Sequence, residues 1–305
     1  MAARRYTLLD VFTATPLEGN GLAVVHDADG LDDATMLAFA RETRLSETTF
    51  VQSATAAGAD YRNRIWTVEL ELPFAGHPSL GTAVAVARAA GAVPGETVRY
   101  VQQTVAGLQP VDVTLRDGGD RAYASMLQEP AILGAELPRA EALATLGLTV
   151  DDGDPALPPQ VVSTGAPQLI VPLRDRDAAA RAVPDYAAIG ALLRGHGAVT
   201  LYAAACDTSS SAPAAGGALA AAATASATAH ARSFAFSAEI GEDPATGSAA
   251  GPLCAYLHAR TGAVRVAIDQ GIEIGRPSRL DTAVEGDRVR VGGDVVVLVD
   301  GTLRL

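Results

Sequence analysis

The amino-acid sequence predicts an α+β protein of two similar halves, each built around one helix of small residues. Short β-like runs dominate the chain, and helical spacing of apolar residues is less frequent. A short stretch also recurs, as FAGHPSLG at 74–81 and as DPATGSA at 243–249. Because 305 residues allow two domains of ordinary size, we expect domains at 1–118 and 119–305, with the last strand free to return to the first.

The first half contains several strand-like runs and two helical patterns. Helical spacing predicts a helix over 34–44, with Asp32 or Asp33 as its N-terminal cap. A second helix of small residues is expected over 79–91, ending at Gly91 as the residue after its C-terminus. The strand-like runs of this half lie at 6–12, 22–26, 48–53 and 64–72.

The second half follows a related order. Helices are expected near 139–147, 187–197 and 245–261, with strands in 161–173 and 198–205. The segment 206–226 is a low-complexity run rich in alanine and serine, which we interpret as a surface insertion. A weak alanine helix is the alternative interpretation.

Composition excludes several classes of function. The net charge of −12 disfavours nucleic acid as a partner, because an acidic surface repels phosphates. The sequence shows no signal peptide and no apolar run typical of a membrane span, so we expect a cytoplasmic protein. The chain contains no lysine, which excludes a pyridoxal Schiff base. The two cysteines and five histidines lack metal-ligand spacing, so no metal and no cofactor are expected.

The repeated stretch indicates a function at two helix starts. Aligning Pro78 with Pro244 pairs His77 with Asp243, and each helix would then begin near a glycine. Backbone N–H groups of a first helical turn lack intrahelical partners, so such ends suit a carboxylate ligand. A purely structural interpretation also fits, with His77 as a turn histidine and Asp243 as an N-cap.

Two further residues are candidates for the site. Glu47 opens an apolar strand, where partial burial would raise the pKa of a carboxyl group and make it a usable acid or base. An exposed strand-end glutamate, or a partner for Arg44, is the plainer alternative. Asn20, within Gly-Asn-Gly, is either a hairpin-turn residue or a ligand-facing amide.

Seven segments together resemble the PhzF-like isomerases of phenazine biosynthesis, which share the diaminopimelate epimerase fold. The resemblance implies two α/β domains, each a curved, barrel-like and mostly antiparallel sheet wrapped around a central helix, with the active site in the cleft between them. It covers nearly the whole chain, except 206–226. The matching segments are DVFTATPLEGNGLAVV (10–25), LSETTFV (45–51), FAGHPSLG (74–81), STGAPQLIVPL (163–173), ARSFAF (231–236), GEDPATGSAAG (241–251) and QGIEIGRPSRL (270–280).

The resemblance also implies roles for individual residues. It places the catalytic glutamate on Glu47, and a histidine on His77 with Gly76 beside it. In the second domain it implies a site aspartate, glycine and serine, which are Asp243, Gly247 and Ser248. Members of this family are typically cofactor-independent and commonly homodimeric.

The implied reaction is a proton transfer on a small carboxylated substrate, as in the isomerisation of a dihydro-hydroxyanthranilate. Related epimerases and proline racemases use paired cysteines at the two helix starts, whereas this chain has Gly76-His77 and Asp243, so a thiol mechanism is disfavoured. Two alternatives remain open: an amino-acid epimerase or racemase acting through carboxylates, and a non-catalytic small-molecule binding protein on the same scaffold.

Overall fold

The computed structural model describes residues 3–208 and 226–305. They form two compact units, Met1–Met126 with Gly292–Leu305, and Leu127–Val291. The alanine-rich insertion predicted within 206–226 lies, apart from its ends, outside the described residues. Within the described ranges, no helix combines the length and the apolar character that crossing a membrane requires.

The first unit consists of two helices and a set of short strands that closely follow the predicted runs. The predicted run at 64–72 is split in two, because the chain turns back on itself between Trp66 and Glu71. The elements of the first unit are β1 (Ala3–Val11), β2 (Asn20–Val25), α1 (Asp33–Thr43), β3 (Glu47–Gln52), β4 (Tyr61–Trp66), β5 (Glu71–Leu72), α2 (Gly76–Ala89), β6 (Thr97–Thr104), β7 (Gly107–Arg116) and β8 (Arg121–Leu127).

The described part of the second unit contains four further α-helices. The last strand starts here and continues into the first unit, from Gly292 onward. The elements of the second unit are β9 (Ile132–Glu136), α3 (Arg139–Ala144), β10 (Gln160–Ser163), β11 (Pro167–Leu173), α4 (Arg176–Arg181), α5 (Tyr186–His196), β12 (Thr200–Asp207), β13 (Ser226–Phe234), β14 (Glu242–Asp243), α6 (Gly247–Thr261), β15 (Arg265–Gln270), β16 (Ser278–Glu285) and β17 (Arg288–Arg304).

The strands of the first unit close into an eight-stranded barrel in the order β17–β1–β2–β3–β4–β6–β7–β8, with β8 returning to β17. Two neighbouring pairs, β2 with β3 and β4 with β6, are parallel. A parallel pair needs a crossover connection, and α1 and α2 supply them. The curved, barrel-like, mostly antiparallel sheet expected for each half is therefore confirmed for this one.

The second unit repeats this succession of pairings. From β10 to β11, β12, β13, β15 and β16 the pairs run antiparallel, parallel, antiparallel, parallel and antiparallel. The same alternation runs from β1 to β7 in the first unit. The two-residue strands β5 and β14 occupy equivalent places, each immediately before a long helix. The predicted pair of similar domains is confirmed at the level of topology.

Both long helices are buried on nearly all sides, as expected for helices enclosed by a sheet. Small side chains make this enclosure possible. At Gly81 an added Cβ would lie 2.6 Å from a methyl of Leu22 and 2.7 Å from a methyl of Leu9, both fully buried. Gly81 therefore lets α2 pack closely against β1 and β2. It lies inside the helix, whereas the repeat had placed this glycine near the helix start.

The structure corrects the predicted register of the repeat. Helix α2 begins at Gly76 and α6 at Gly247, each after a two-residue strand that ends at Leu72 or Asp243. The equivalent of Asp243 is therefore Leu72, and the predicted match with His77 is wrong by five positions.

The cause of this error lies in the sequence itself. Around the start of α2 the first half contains Pro-x-x-Gly twice, as 73–76 and as 78–81. Similarity to the second-half stretch 244–247 cannot choose between them, but the pairing of β5 with β4 selects the earlier copy. His77 is consequently the counterpart of Ser248 at the second position of its helix.

Candidate active site

Sheet topology brings Asn20 and Glu47 to one end of the first barrel. Asn20 is the first residue of β2 and Glu47 the first of β3, and Glu47 is in register with Leu22. Because these strands are parallel, their starting ends lie side by side. Glu47 is half-buried, with 15% of its side chain exposed, as the sequence interpretation expected.

His77 joins these two residues from the first turn of α2. Its ring is 4% exposed. The distance from His77 Nδ1 to Asn20 Nδ2 is 3.1 Å, and His77 Nε2 lies 3.4 Å from Glu47 Oε2. Three of the residues predicted from sequence thus form one cluster, and Asn20 is a buried partner of the histidine and not a solvent-facing turn residue.

The hydrogen bonds define the state of the His77 ring. An amide nitrogen only donates, so Asn20 Nδ2 donates to His77 Nδ1 and the ring proton lies on Nε2, facing Glu47. Burial lowers the pKa of His77 to about 3, so the ring is neutral at neutral pH. The result is a neutral N–H donor aimed at a half-buried carboxylate.

We expect this neutral histidine to make stability depend on pH. An unfolded histidine has a pKa of about 6.5, and the folded value of His77 is about 3. Between these values the unfolded chain binds more protons, so the free energy of unfolding should fall with decreasing pH, by up to about 1.4 kcal/mol per pH unit for one group.

Urea unfolding of the wild type and of His77→Asn at pH 4, 5, 6 and 7 measures this dependence. The stability difference between the two proteins should shrink or reverse as the pH falls, since the asparagine has no proton to bind. Parallel profiles for the two proteins over this range would contradict the assignment.

The second unit builds a different polar cluster at the equivalent place. Asp243 is the last residue of β14, and its Oδ2 accepts a hydrogen bond of 2.5 Å from Thr246 Oγ1. Thr246 is the N-cap residue of α6, so the alternative reading of Asp243 as the N-cap is wrong. Gly247 and Ser248 follow as the first two residues of the helix.

A buried glutamine that the sequence interpretation did not single out organises this cluster. Gln270 Nε2 donates to Asp243 O at 2.8 Å and to Thr246 Oγ1 at 3.0 Å, while its Oε1 accepts from Thr246 N at 3.2 Å. The hydroxyl of Tyr202 donates to the same Oε1 at 2.8 Å. The only sequence signal for Gln270 was its place in the QGIEIGRPSRL segment.

Each unit therefore presents a helix start whose N-cap residue makes no side-chain capping hydrogen bond. The N-cap residue of α2 is Ala75, which carries no side-chain acceptor, and Thr246 directs its hydroxyl to Asp243. Backbone N–H groups at such starts, together with the helix dipole, favour anionic groups. Gly76 and Gly247, the first residue of each helix, allow close approach to this backbone.

The cysteines do not contribute a thiolate to these clusters. Cys254 is fully buried inside α6, as expected for a core residue, and burial raises the pKa of its thiol to about 12. Burial also raises the pKa of Cys206 to about 12. Chemistry at the two helix starts therefore depends on carboxylate, imidazole, hydroxyl and backbone groups.

Comparison with known proteins gives a consistent result. The family model for phenazine biosynthesis-like proteins, PhzC-PhzF, matches residues 9–301. The trans-2,3-dihydro-3-hydroxyanthranilate isomerase of Pseudomonas aeruginosa is 37% identical over 294 residues, spanning 94% of this chain and 92% of that protein.

Solved structures agree with this result. A structure named as a predicted epimerase from Pseudomonas aeruginosa matches with a TM-score of 0.82 and 35% identity over 99% of both chains. A probable proline racemase from Agrobacterium radiobacter matches with a TM-score of 0.67 at 11% identity, over 99% of this chain and 93% of that one, which shows a shared fold alone. The chain belongs to the PhzC-PhzF family of phenazine biosynthesis-like proteins.

Proposed function

We propose that this isomerase moves a proton between carbon atoms of a small carboxylated substrate, with Glu47 as the acid–base group and without a cofactor. One observation carries the proposal: the half-buried carboxylate of Glu47 lies 3.4 Å from the Nε2 of a buried, neutral His77. Since a relative is named as an isomerase of a dihydro-hydroxyanthranilate, a carboxylated cyclic diene is the substrate class that we favour.

The proposed steps balance without any other reactant. Glu47 removes a proton from an activated carbon, and the electron pair moves into the conjugated double bonds. The resulting carboxylic acid exchanges its proton with solvent and then delivers one proton to a different carbon, so that the double bond migrates and the composition is unchanged. The N–H of His77, itself oriented by Asn20, faces the Glu47 carboxylate across 3.4 Å and would hold its direction. Backbone N–H groups at Gly76 would bind the substrate carboxylate.

For the second unit we propose binding and positioning roles. Gly247 and Ser248 would bind a polar group of the substrate, and Asp243, held by Thr246 and Gln270, would position it or relay a proton. Asp243→Asn is expected to lower turnover about 10²-fold, because the amide retains an acceptor oxygen but cannot take up a proton.

The matched control for this change is Asp287→Asn, on an exposed turn of the same unit, which should leave turnover unchanged. Steady-state rates of the three proteins provide the comparison. Wild-type turnover in Asp243→Asn would remove Asp243 from the proposed site.

Incubation with a carboxylated cyclic diene in deuterated water tests the function itself. Proton NMR and mass spectrometry should show one solvent deuterium bound to carbon in the isomerised product. Racemisation of amino acids, detected by chiral chromatography, would support the epimerase alternative instead. Ligand-induced thermal stabilisation without exchange or turnover would support a binding protein.

We also propose that the protein acts as a homodimer in the cytoplasm, which rests on the family resemblance. Light scattering after size-exclusion chromatography at micromolar concentration should give twice the mass of the 31.1 kDa chain. A monomer mass under these conditions would contradict the dimer.

A further inference from the structure

The two units share a second feature, an arginine–glutamate pair directly before each central helix. In the first unit Arg64 Nη2 lies 2.7 Å from Glu71 Oε2, and Nε contacts Oε1 of the same carboxylate. In the second unit Arg232 Nε and Nη2 lie 2.8 Å and 2.7 Å from the two oxygens of Glu242. Both pairs are therefore bidentate, the geometry that fixes direction as well as distance.

The first pair connects three elements. Arg64 belongs to β4 and Glu71 to β5, and Arg64 Nη2 also contacts Asp33 Oδ1 at 3.0 Å, on the first residue of α1. The guanidinium lies 5.6 Å from the centre of the Trp66 ring, two residues along the same strand. Only 10% of the arginine side chain and 20% of the glutamate side chain are exposed.

The second pair repeats these connections with different partners. Arg232 on β13 donates through Nη1 to the carbonyls of Ala179 and Ala182 at the end of α4, at 2.9 Å and 2.8 Å. Its guanidinium lies 5.0 Å from the centre of the Phe234 ring, again two residues along the strand. Arg232 and Glu242 are each 8% exposed.

Both glutamates stand at the same distance from a helix start. Glu71 precedes Gly76 by five residues, and Glu242 precedes Gly247 by five residues. A buried ion pair is costly to desolvate, so its value for stability alone is small compared with apolar packing. What a bidentate pair supplies is a defined position for the segment that leads into the helix.

We propose that Arg64 and Arg232 are positioning residues, each fixing through its glutamate the place of a central-helix start, and hence of His77 in one unit and Ser248 in the other. The catalytic meaning of this inference rests on the proposed function, whereas its structural part does not. The arginine itself contacts no reacting atom in this account, and it acts through the backbone from Glu71 to His77.

The Arg64→Lys variant tests the inference in the first unit. Lysine keeps the charge but cannot form two parallel hydrogen bonds to one carboxylate. We expect kcat for deuterium incorporation to fall about 10- to 100-fold, since small misplacement of a catalytic group has that effect, with little change in KM. The ring ¹⁵N resonances of His77 should shift as well.

Arg99→Lys is the matched control, because Arg99 forms a bidentate pair with Asp112 across β6 and β7 of the same barrel, at 2.7 Å and 3.0 Å. This variant should leave kcat and the His77 resonances unchanged. Should Arg64→Lys fail to fold, Glu71→Gln, which retains an acceptor oxygen, is measured in the same way. Arg232→Lys should lower kcat without moving the His77 resonances.

Two results overturn the inference: unchanged His77 resonances with wild-type kcat in Arg64→Lys, or an equal loss of kcat in Arg99→Lys. The resonances separate this inference from the proposed function. If wild-type protein shows no exchange with carboxylated dienes, the proposed function fails, and the shift of the His77 resonances still decides whether Arg64 positions the helix start.

Discussion

Glu47→Gln is expected to lower the rate of solvent deuterium incorporation into a carboxylated diene by about 10²–10⁴-fold. Glutamine has nearly the same shape as glutamate and retains an oxygen that can face His77 Nε2, which lies 3.4 Å from Glu47 Oε2. Its amide cannot take up the substrate proton, so the chemical step loses its base. Binding of the substrate carboxylate should remain, because the proposed binding groups are backbone N–H groups.

Isothermal titration with substrate and NMR-detected exchange separate these two effects. Glu42→Gln is the control, since Glu42 lies on the exposed face of α1, five residues before Glu47, and should behave like wild type. Undiminished exchange in Glu47→Gln would disprove the assignment of the acid–base group. A loss of binding equal to the loss of exchange would instead give Glu47 a role in recognition.

Gly271→Ala is expected to lower the free energy of unfolding by about 2–5 kcal/mol. Gly271 has φ +77°, where an L side chain costs about 1–2 kcal/mol. Its added Cβ would lie 2.4 Å from the carbonyl oxygen of Arg276 and 2.6 Å from that of Pro244, a clash worth about a further 1–3 kcal/mol. Because Pro244 follows Asp243, turnover should fall as well.

Gly275→Ala, in the same loop, separates strain from clash. Gly275 has φ +72°, and apart from its two chain neighbours no described residue has an atom within 4 Å of the position of an added Cβ. This variant should lose only about 1–2 kcal/mol. Urea unfolding of both variants gives the difference, and equal losses would show that the Pro244 and Arg276 carbonyls move aside without cost.

Most helices and strands were predictable from local pattern. Asp32 accepts from Thr35 N as the predicted N-cap of α1, and Gly91 has the left-handed conformation expected just after α2. Boundaries were less accurate: α2 starts three residues before the predicted 79. The extra turn contains His77 and Pro78, and proline is tolerated there because first-turn N–H groups have no intrahelical partner.

The site was only partly predictable. Glu47 and His77 stood out as titratable residues in motifs, but their separation of thirty positions carries no information about distance. The parallel pairing of β2 and β3, and the start of α2, bring them together. Gln270 had no signal of its own, since a buried glutamine is recognisable only when its hydrogen-bond partners are known.

The sequence by itself determined the α+β character of this protein and its internal repeat, and it supplied the candidate residues for proton transfer. These properties follow from local composition and spacing, which act over a few residues along the chain. Tertiary structure alone decided the register of the repeat, the neutral state of His77 and the paired Arg64–Glu71 and Arg232–Glu242 contacts. Each of these depends on strand pairing or burial between residues that the sequence leaves apart, and burial is what shifts a pKa and gives an ion pair a fixed geometry.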